Sequence, residues 1–193
     1  ICHVPCFTGF ERININMNDV APLEAARTSG GLSTAPWTLP RKFKYLKTLE
    51  YKTLRYEGHW GPMRAYQLLG LFGTGSVTVA GKEIVPRDAL EALLEPLITK
   101  PNVRDIGIIH AVAKGQKDGK QAISTVSLIV RHDEKTNLTA MQQLTGWHAS
   151  IVAIMEGHRE IPYGVAHVEE LNAAHIVREA RKRGFVIKEH VVA

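Results

Sequence analysis

Two β-rich runs that meet at Asp118-Gly119 constrain the fold more than any other feature of this sequence. The runs IIHAVAKGQ and QAISTVSLIV are separated by KDGK, which leaves Asp118 and Gly119 at the centre of the connection. An Asp-Gly pair between two strand-like segments is the strongest short-range signal for a β-hairpin. The segment SVTVAGKEIV repeats the pattern around Gly81. The sequence therefore predicts antiparallel strand pairing.

Two short helices are predicted after prolines. One follows Pro62 and has a stop signal at Gly70, and the other follows Pro86. Proline suits the first helical turn because its missing N–H has no intrahelical partner there. The second helix carries leucines at i, i+3, i+4 and i+7, the spacing of one helical face, at positions 90, 93, 94 and 97. Both helices are predicted to face a core.

Two further helices and several strands complete the predicted elements. A long helix begins near Asn137 or Thr139 and runs to Gly157, and a last helix ends at Gly184. Strands are predicted for FERINI, LEAART, LEYKTLRY and FVIKEHVV. The predicted fold class is α+β, with a mixed, largely antiparallel sheet backed by helices.

Length and charge describe a globular domain without an extreme composition. A domain of 193 residues buries about 70% of the surface that its unfolded chain exposes, so residues 1–193 are predicted to form a single domain. No apolar run is long enough to span a bilayer, and no signal peptide is present. The 24 Lys and Arg residues slightly outnumber the 19 Asp and Glu residues. We expect neither a membrane nor a nucleic acid as a partner.

The two cysteines lie at the start of the sequence, in CHVPC. Cys2, His3 and Cys6 are too crowded to match a structural zinc site, and no second cluster completes one. We therefore expect no metal and predict reduced thiols in a cytoplasmic protein. Because the sequence begins with Ile1 and not with methionine, we also expect it to be part of a longer protein.

Glycine-rich segments do not give a catalytic or cofactor signature. GLFGTG, residues 70–75, has the reverse of the dinucleotide-binding spacing and follows a predicted helix, so it is predicted to be a turn. SGGLST, residues 29–34, either binds a carboxylate through its amides or forms a turn that leads into a Ser or Thr helix cap. Nucleophile-elbow, P-loop and metalloprotease motifs are absent from the sequence.

The segment KTLRYEGHW places polar groups at a corner between a strand and a helix. Arg55, Tyr56 and His59 fall within five residues of each other around Gly58. Such residues either bind a ligand or stabilise the corner. In the structural alternative, Arg55 pairs with a carboxylate of the protein and His59 caps the following helix.

Five segments together resemble the C-terminal domain of the saccharopine dehydrogenase and lysine 6-dehydrogenase family. The segments cover nearly the whole chain and are TSGGLST, KTLRYEGHW, PRDALEALLEP, DEKTNLTAMQQLTGWHASIVAIM and IPYGVAHVEEL. The most specific is KTLRYEGH, in which Glu57 stands where the relatives usually have proline.

The resemblance implies a fold, a function and partners. The fold is that of the C-terminal domain of saccharopine dehydrogenase-like (glyceraldehyde-3-phosphate dehydrogenase-like) enzymes, and the domain binds the substrate and forms a homodimer. NAD or NADP is bound by an N-terminal Rossmann domain, so no cofactor is expected in this chain, which should be inactive alone. The substrate is saccharopine or lysine, whose amine carbon is oxidised. Arg55 is then the candidate carboxylate ligand, with Tyr56 and His59 as hydrogen-bonding neighbours.

Two other functions are compatible with the sequence. The first is a stand-alone ligand-binding or interaction module without catalytic activity. The second is a nucleic-acid binder, for which the sequence pI of about 9.3 is the sole indication.

Overall fold

The computed structural model describes residues 2–15, 20–28 and 30–192. The chain divides into two compact units, Ile1–Pro101 and Asn102–Ala193. The described strands form three antiparallel sheets, and together with five helices they confirm the predicted α+β class. The assignment of residues 1–193 to a single substrate-binding and dimerisation domain stays a prediction.

The described residues of the first unit form two sheets and three helices. Its strands are β1 (Glu11–Ile13), β2 (Leu23–Ala26), β3 (Thr53–Tyr56), β4 (Val77–Val79) and β5 (Lys82–Ile84). Its helices are α1 (Ala35–Lys42), α2 (Trp60–Leu68) and α3 (Pro86–Ile98). One sheet has the order β1-β2-β3, and β4 pairs with β5. Strand β2 is central, and its Leu23, Ala25 and Ala26 are buried.

The second unit packs helices on a long three-stranded sheet. Its strands are β6 (Ile106–Lys117), β7 (Lys120–Arg131) and β8 (Ile187–Val192), in the order β6-β7-β8. Its helices are α4 (Ala140–Gly157) and α5 (Ala173–Lys182), with a single 3₁₀ turn at Val168–Glu170. The buried core consists of Val130, Ala140, Ile151, Met155, Leu171, Ala180 and Phe185.

Both predicted hairpins are present and turn in the same way. Strands β6 and β7 pair up to Lys117 and Lys120, which leaves Asp118 and Gly119 as a two-residue loop. Their φ angles are 53° and 78°, the pair of positive values that a type I′ turn requires. Ala80 and Gly81 connect β4 to β5 with φ angles of 49° and 77°. The local sequence was therefore sufficient to predict both turns.

Helix α4 begins with two sets of capping interactions. The Thr139 hydroxyl accepts from the Gln142 N–H at 3.1 Å, and the Gln142 side chain accepts from the Thr139 N–H at 2.8 Å. The Asp105 carboxylate accepts from the N–H groups of Ala140 at 2.6 Å and Met141 at 3.0 Å. These bonds satisfy donors that have no partner inside the helix, and the negative charge is favourable at a helix N-terminus.

The predicted glycine stops are present: α2 and α5 end just before Gly70 and Gly184, and α4 ends at Gly157. Gly70 and Gly184 have φ angles of 77° and 87°, and each forms a Schellman motif after its helix. After α4 the left-handed residue is Arg159, with a φ angle of 56°, while Gly157 is still helical. Gly157 is thus the last helical residue, and Arg159 adopts the left-handed conformation that is unfavourable for a residue with a side chain.

Two predictions about helices are corrected. Helix α1 was not among the four predicted helices because Pro36 and Pro40 break its apolar pattern; Pro36 lies in the first turn, where proline is tolerated. Helix α3 is present, but Leu90 is its one buried residue in the described structure, and Leu93 and Leu97 are 72% and 67% exposed. No described helix combines the length and the apolar character needed to cross a membrane.

The corner after β3 is a tight turn over residues 56–59. The N–H of His59 donates to the Tyr56 carbonyl at 3.2 Å, and Gly58 between them has a φ angle of 92°. Glu57 occupies the position where proline is favoured in turns of this kind. Its N–H donates to the Pro22 carbonyl at 3.0 Å, which a proline cannot do, and its carboxylate pairs with Arg12 at 2.5 Å. The chain thus forms the turn without proline.

A polar cluster surrounds helix α5. Buried His175 contacts the Glu160 carboxylate through Nδ1, while its Nε2 is 4.0 Å from Glu179. Glu179 also accepts from Lys182 at 2.7 Å and from Arg183 at 3.1 Å. These two hydrogen bonds, from Lys182 and then Arg183, lower the pKa of Glu179 from 4.5 to about 2. The native cluster therefore favours the ionised carboxylate.

Replacing Gly58 by alanine should destabilise the protein by about 1 kcal/mol or more, because alanine is strained at positive φ. The matched control is Gly61→Ala in the first turn of α2. A Cβ atom at either position has open space around it, so the two variants differ mainly in backbone conformation. Urea unfolding measures both changes. Equal stability of the two variants would contradict the proposed strain.

Glu179→Gln should reduce stability at neutral pH and have less effect in acid. Because the pKa of Glu179 is depressed in the folded protein, its stabilising contribution is complete above pH 4.5 and is lost as the pH falls towards 2. The measurement is the difference in unfolding free energy between wild type and variant over this range. A difference that does not change with pH would contradict the assigned pKa.

Candidate functional site

Trp60 is the buried centre of the corner that carries the predicted site residues. It is 3% exposed and is the first residue of α2. The centroid of its ring lies 5.9 Å from the centroid of the Phe7 ring, and the centroids of the Phe7 and Phe72 rings are 5.5 Å apart. These contacts bury the indole in an aromatic cluster within the first unit, so side chains that pack on the indole have a rigid support.

Arg55 presents its guanidinium group at the surface beside Trp60. Its Cζ atom is 5.9 Å from the centroid of the indole ring, and its Nη1 donates to the Leu54 carbonyl at 2.8 Å. Among the described residues it forms no ion pair, so the structural carboxylate that the sequence alternative required is not found there. The stacked guanidinium keeps donors available for an external carboxylate.

His59 occupies the N-cap position of α2, as the structural alternative predicted, but its side chain makes no capping hydrogen bond. The imidazole is half-buried and meets the Trp60 ring edge-on, with centroids 4.8 Å apart. Burial and then the Arg55 charge lower the pKa of His59 below 6.5, while Glu24 acts in the opposite direction. The neutral imidazole that this favours at pH 7 can both donate and accept a hydrogen bond.

Tyr56 is not brought together with Arg55 and His59. Neighbouring residues of a strand point to opposite faces of the sheet, and Tyr56 follows Arg55 directly in β3. Arg55 is paired with Glu24 of the central strand, whereas Tyr56 is paired with Leu23. The Tyr56 side chain is 51% exposed. Its role as a substrate contact stays a prediction.

Glu24 is a site residue that sequence reasoning missed. It lies in β2 between buried Leu23 and Ala25, and its Oε1 accepts from the backbone N–H of Trp60 at 2.8 Å. Glu24 rather than the His59 side chain therefore caps α2. The available signal was a charged residue in the otherwise apolar strand LEAA, because a half-buried carboxylate needs a hydrogen-bond partner.

The loop before α1 contains a close approach between a glycine and an aromatic ring. A Cβ atom on Gly31 would lie 2.0 Å from the Tyr51 ring, so glycine is required for this packing. Thr34 is the N-cap residue of α1 but forms no side-chain cap. Ser29, the first residue of the predicted SGGLST loop, lies outside the described residues. Carboxylate binding by the loop amides stays a prediction.

The other candidate sites of the first unit do not involve Arg55 or His59. A groove of about 320 Å³ lies at the connection between β1 and β2, and Arg12 and Leu23 are among its lining residues. Residues 70–75 form a turn after α2, closed by a bond of 2.9 Å from the Gly73 N–H to the Gly70 carbonyl, as predicted. In the part of the chain that the structure describes, no three His, Cys, Asp or Glu side chains are grouped as a metal site.

A comparison with protein families accounts for nearly the whole chain. A family model described as the saccharopine dehydrogenase C-terminal domain matches residues 4–185. The matched range includes β1 to α5, and therefore the corner with Arg55, His59 and Glu24. It confirms the resemblance that KTLRYEGH and the other segments indicated. The chain belongs to the saccharopine dehydrogenase C-terminal domain family.

Proposed function

We propose that this chain supplies the substrate-binding and dimerisation part of an oxidoreductase that acts on the CH–NH group of an amino acid such as saccharopine or lysine. The observation that carries the proposal is the guanidinium of Arg55, which is exposed, lies over a buried indole and forms no ion pair among the described residues. The family assignment supports the class of reaction.

In this proposal, the chain binds and orients the substrate. The planar guanidinium of Arg55 donates two parallel hydrogen bonds to a substrate carboxylate, which fixes both its distance and its plane. His59, neutral at pH 7, provides a further hydrogen bond from the same indole-supported surface. Holding the substrate in one orientation accelerates reaction because less freedom remains to be lost in the transition state.

The nicotinamide cofactor is assigned to a Rossmann domain outside this sequence. When bound, it would supply the hydride acceptor. One observation supports this assignment: the glycines of residues 70–75 follow helix α2, whereas dinucleotide-binding glycines follow a strand. Arg55 also lies at an exposed surface and not in the described groove. The exposed position of Arg55 and the position of residues 70–75 after a helix both support a reaction that requires a second domain.

Arg55→Lys in the full-length dehydrogenase should lower kcat/KM about ten- to a hundredfold, because lysine keeps the charge and loses the planar fork. The melting temperature should stay nearly unchanged, since Arg55 makes no ion pair in the described structure. The matched control is Arg12→Lys, which alters an exposed arginine on β1 that pairs with Glu57. Normal kinetics in Arg55→Lys would contradict the role of Arg55 as the carboxylate ligand, whereas a full-length protein without dehydrogenase activity would favour the stand-alone ligand-binding or interaction module.

We also propose that the chain forms a symmetric homodimer through the sheet of the second unit. Strand β6 is twelve residues long and lies at an edge of the β6-β7-β8 sheet. Its Ile109 and Val112 are 53% and 48% exposed, and Ile123 on β7 is 43% exposed. Long apolar edge strands of this kind are normally covered, and a second copy of the chain is the proposed cover.

Light scattering should give the mass of a dimer for the wild-type chain. Val112 is an exposed side chain of β6, and lysine at this position would place a charge in the proposed apolar contact between the two copies. Val112→Lys should therefore give a monomer with unchanged secondary structure. Lys117→Ala at the end of the hairpin is the control and should remain dimeric. A monomeric wild type at high concentration would contradict the proposed assembly.

We assign the protein to the cytoplasm. The support for this is chemical: Cys2 and Cys6 are both free thiols in the described structure. Free thiols are the usual state in reducing compartments, whereas secreted domains tend to use cysteines in disulfides.

A further inference from the structure

Glu24 stands out because it is a charged residue in the middle of a buried strand. Its neighbours Leu23 and Ala25 are 6% and 1% exposed, and β2 is flanked by β1 and β3. The register places Glu24 opposite Arg12 on one side and Arg55 on the other. A half-buried carboxylate at such a position needs strong partners, and the identity of those partners indicates what the residue does.

Trp60 is bound by Glu24 at two points. The carboxylate Oε1 accepts from the Trp60 backbone N–H at 2.8 Å, and the Glu24 carbonyl accepts from the indole Nε1–H at 3.2 Å. The first bond satisfies a donor at the start of α2, where a negative charge is also favourable. The second bond fixes the orientation of the indole ring. Together, the two bonds set where α2 begins and which way its first side chain turns.

The orientation of the indole in turn determines the positions of two groups of the proposed site. The Arg55 guanidinium lies over the ring, and the His59 imidazole meets the ring at an interplanar angle of 88°. Among the described contacts, neither side chain is anchored by an ion pair; Arg55 also donates to the Leu54 carbonyl, and the indole is the support that the two side chains share. An apolar substitution at Glu24 leaves the carbonyl bond to the indole in place and removes the bond to the Trp60 N–H, so it would reach both groups by shifting the start of α2 and the Trp60 ring that it carries.

We propose that Glu24 is a positioning residue of the substrate site, which acts through Trp60 to hold Arg55 and His59 in the geometry that receives a substrate carboxylate. This inference rests on the proposed function of Arg55. The role proposed for Glu24 is to position and not to bind, because its Oε1 and its carbonyl are bound to Trp60. Its effect on rate should consequently be indirect and should depend on hydrogen-bonding capacity more than on charge.

The first experiment measures the geometry around Trp60 and does not depend on catalytic activity. In the 193-residue chain, NMR follows the Trp60 indole N–H, the Arg55 Nε–H and the titration of His59. Glu24→Leu should shift all three and lower the pKa of His59 further, since the Glu24 charge raises it. Glu24→Gln should retain the indole and guanidinium signals near their wild-type positions because its amide oxygen still accepts from the Trp60 backbone N–H and keeps the start of α2 in place. Unchanged signals in Glu24→Leu would overturn the proposal.

Kinetics of the full-length dehydrogenase complete the test. Glu24→Leu should lower kcat/KM about tenfold or more, and Glu24→Gln should restore most of it. The matched control is Asp105→Ala, which removes the carboxylate that caps α4 in the other unit. This control should lower the melting temperature without changing the kinetics of the folded enzyme.

The outcomes separate this inference from the proposed function. If Arg55→Lys is impaired while Glu24→Leu behaves like the Asp105→Ala control, Glu24 is a structural cap and the positioning role is overturned, although the substrate site stands. If Arg55→Lys has normal kinetics, the substrate site itself is overturned, and the positioning role with it. Impairment of both, with recovery in Glu24→Gln, supports both.

Discussion

The corner between β3 and α2 depends on two hydrogen bonds that Trp60 donates to Glu24. Trp60 donates its backbone N–H to the Glu24 carboxylate and its indole N–H to the Glu24 backbone carbonyl, so the side chain and the main chain of one residue fix the start of α2 against the central strand. Burying an indole removes roughly 200 Å² from water, which stabilises the fold by up to about 5 kcal/mol. The two hydrogen bonds allow that burial without leaving either donor unpaired.

This arrangement also explains why Arg55 remains available. A guanidinium beside a carboxylate on the neighbouring strand would ordinarily pair with it, but the Glu24 carboxylate accepts from the helix N-terminus instead. Arg55 lies over the indole, where a cation is favoured by about 0.5 to 1 kcal/mol at an exposed site. The result is a positioned cation without a protein anion, and such a group is suited to a substrate carboxylate.

The second unit is organised by local signals and by helix capping. The type I′ turn at Asp118-Gly119 sets the register of β6 and β7. Asp105 directly precedes β6, and its carboxylate binds the start of α4, so the helix begins next to that strand. Gly107 in β6 lies under Leu144 of α4, so the helix can approach the sheet closely. The core then forms between α4, α5 and one face of the sheet.

Predictions succeeded where the structure follows from neighbouring residues and failed where it depends on distant ones. The hairpin turns and the stops at Gly70 and Gly184 were predicted, since positive φ angles favour glycine wherever they occur. The leucine spacing of α3 correctly predicted a helix, but periodicity does not show whether anything covers the face, and Leu93 is exposed. Helix α1 was not predicted because Pro36 and Pro40 interrupt its apolar pattern.

The sequence by itself determined the α+β class, both hairpins, most helices, and the family through KTLRYEGH and its companion segments. It also indicated the corner at residues 55–59 as the place where polar groups gather. The tertiary structure decided which contacts those polar groups make. Glu24 and Trp60 are 36 residues apart, and they meet because strand register and helix packing bring them together. No local pattern encodes that contact, and it decides that Glu24 caps α2, that His59 does not, and that Arg55 stays unpaired among the described residues.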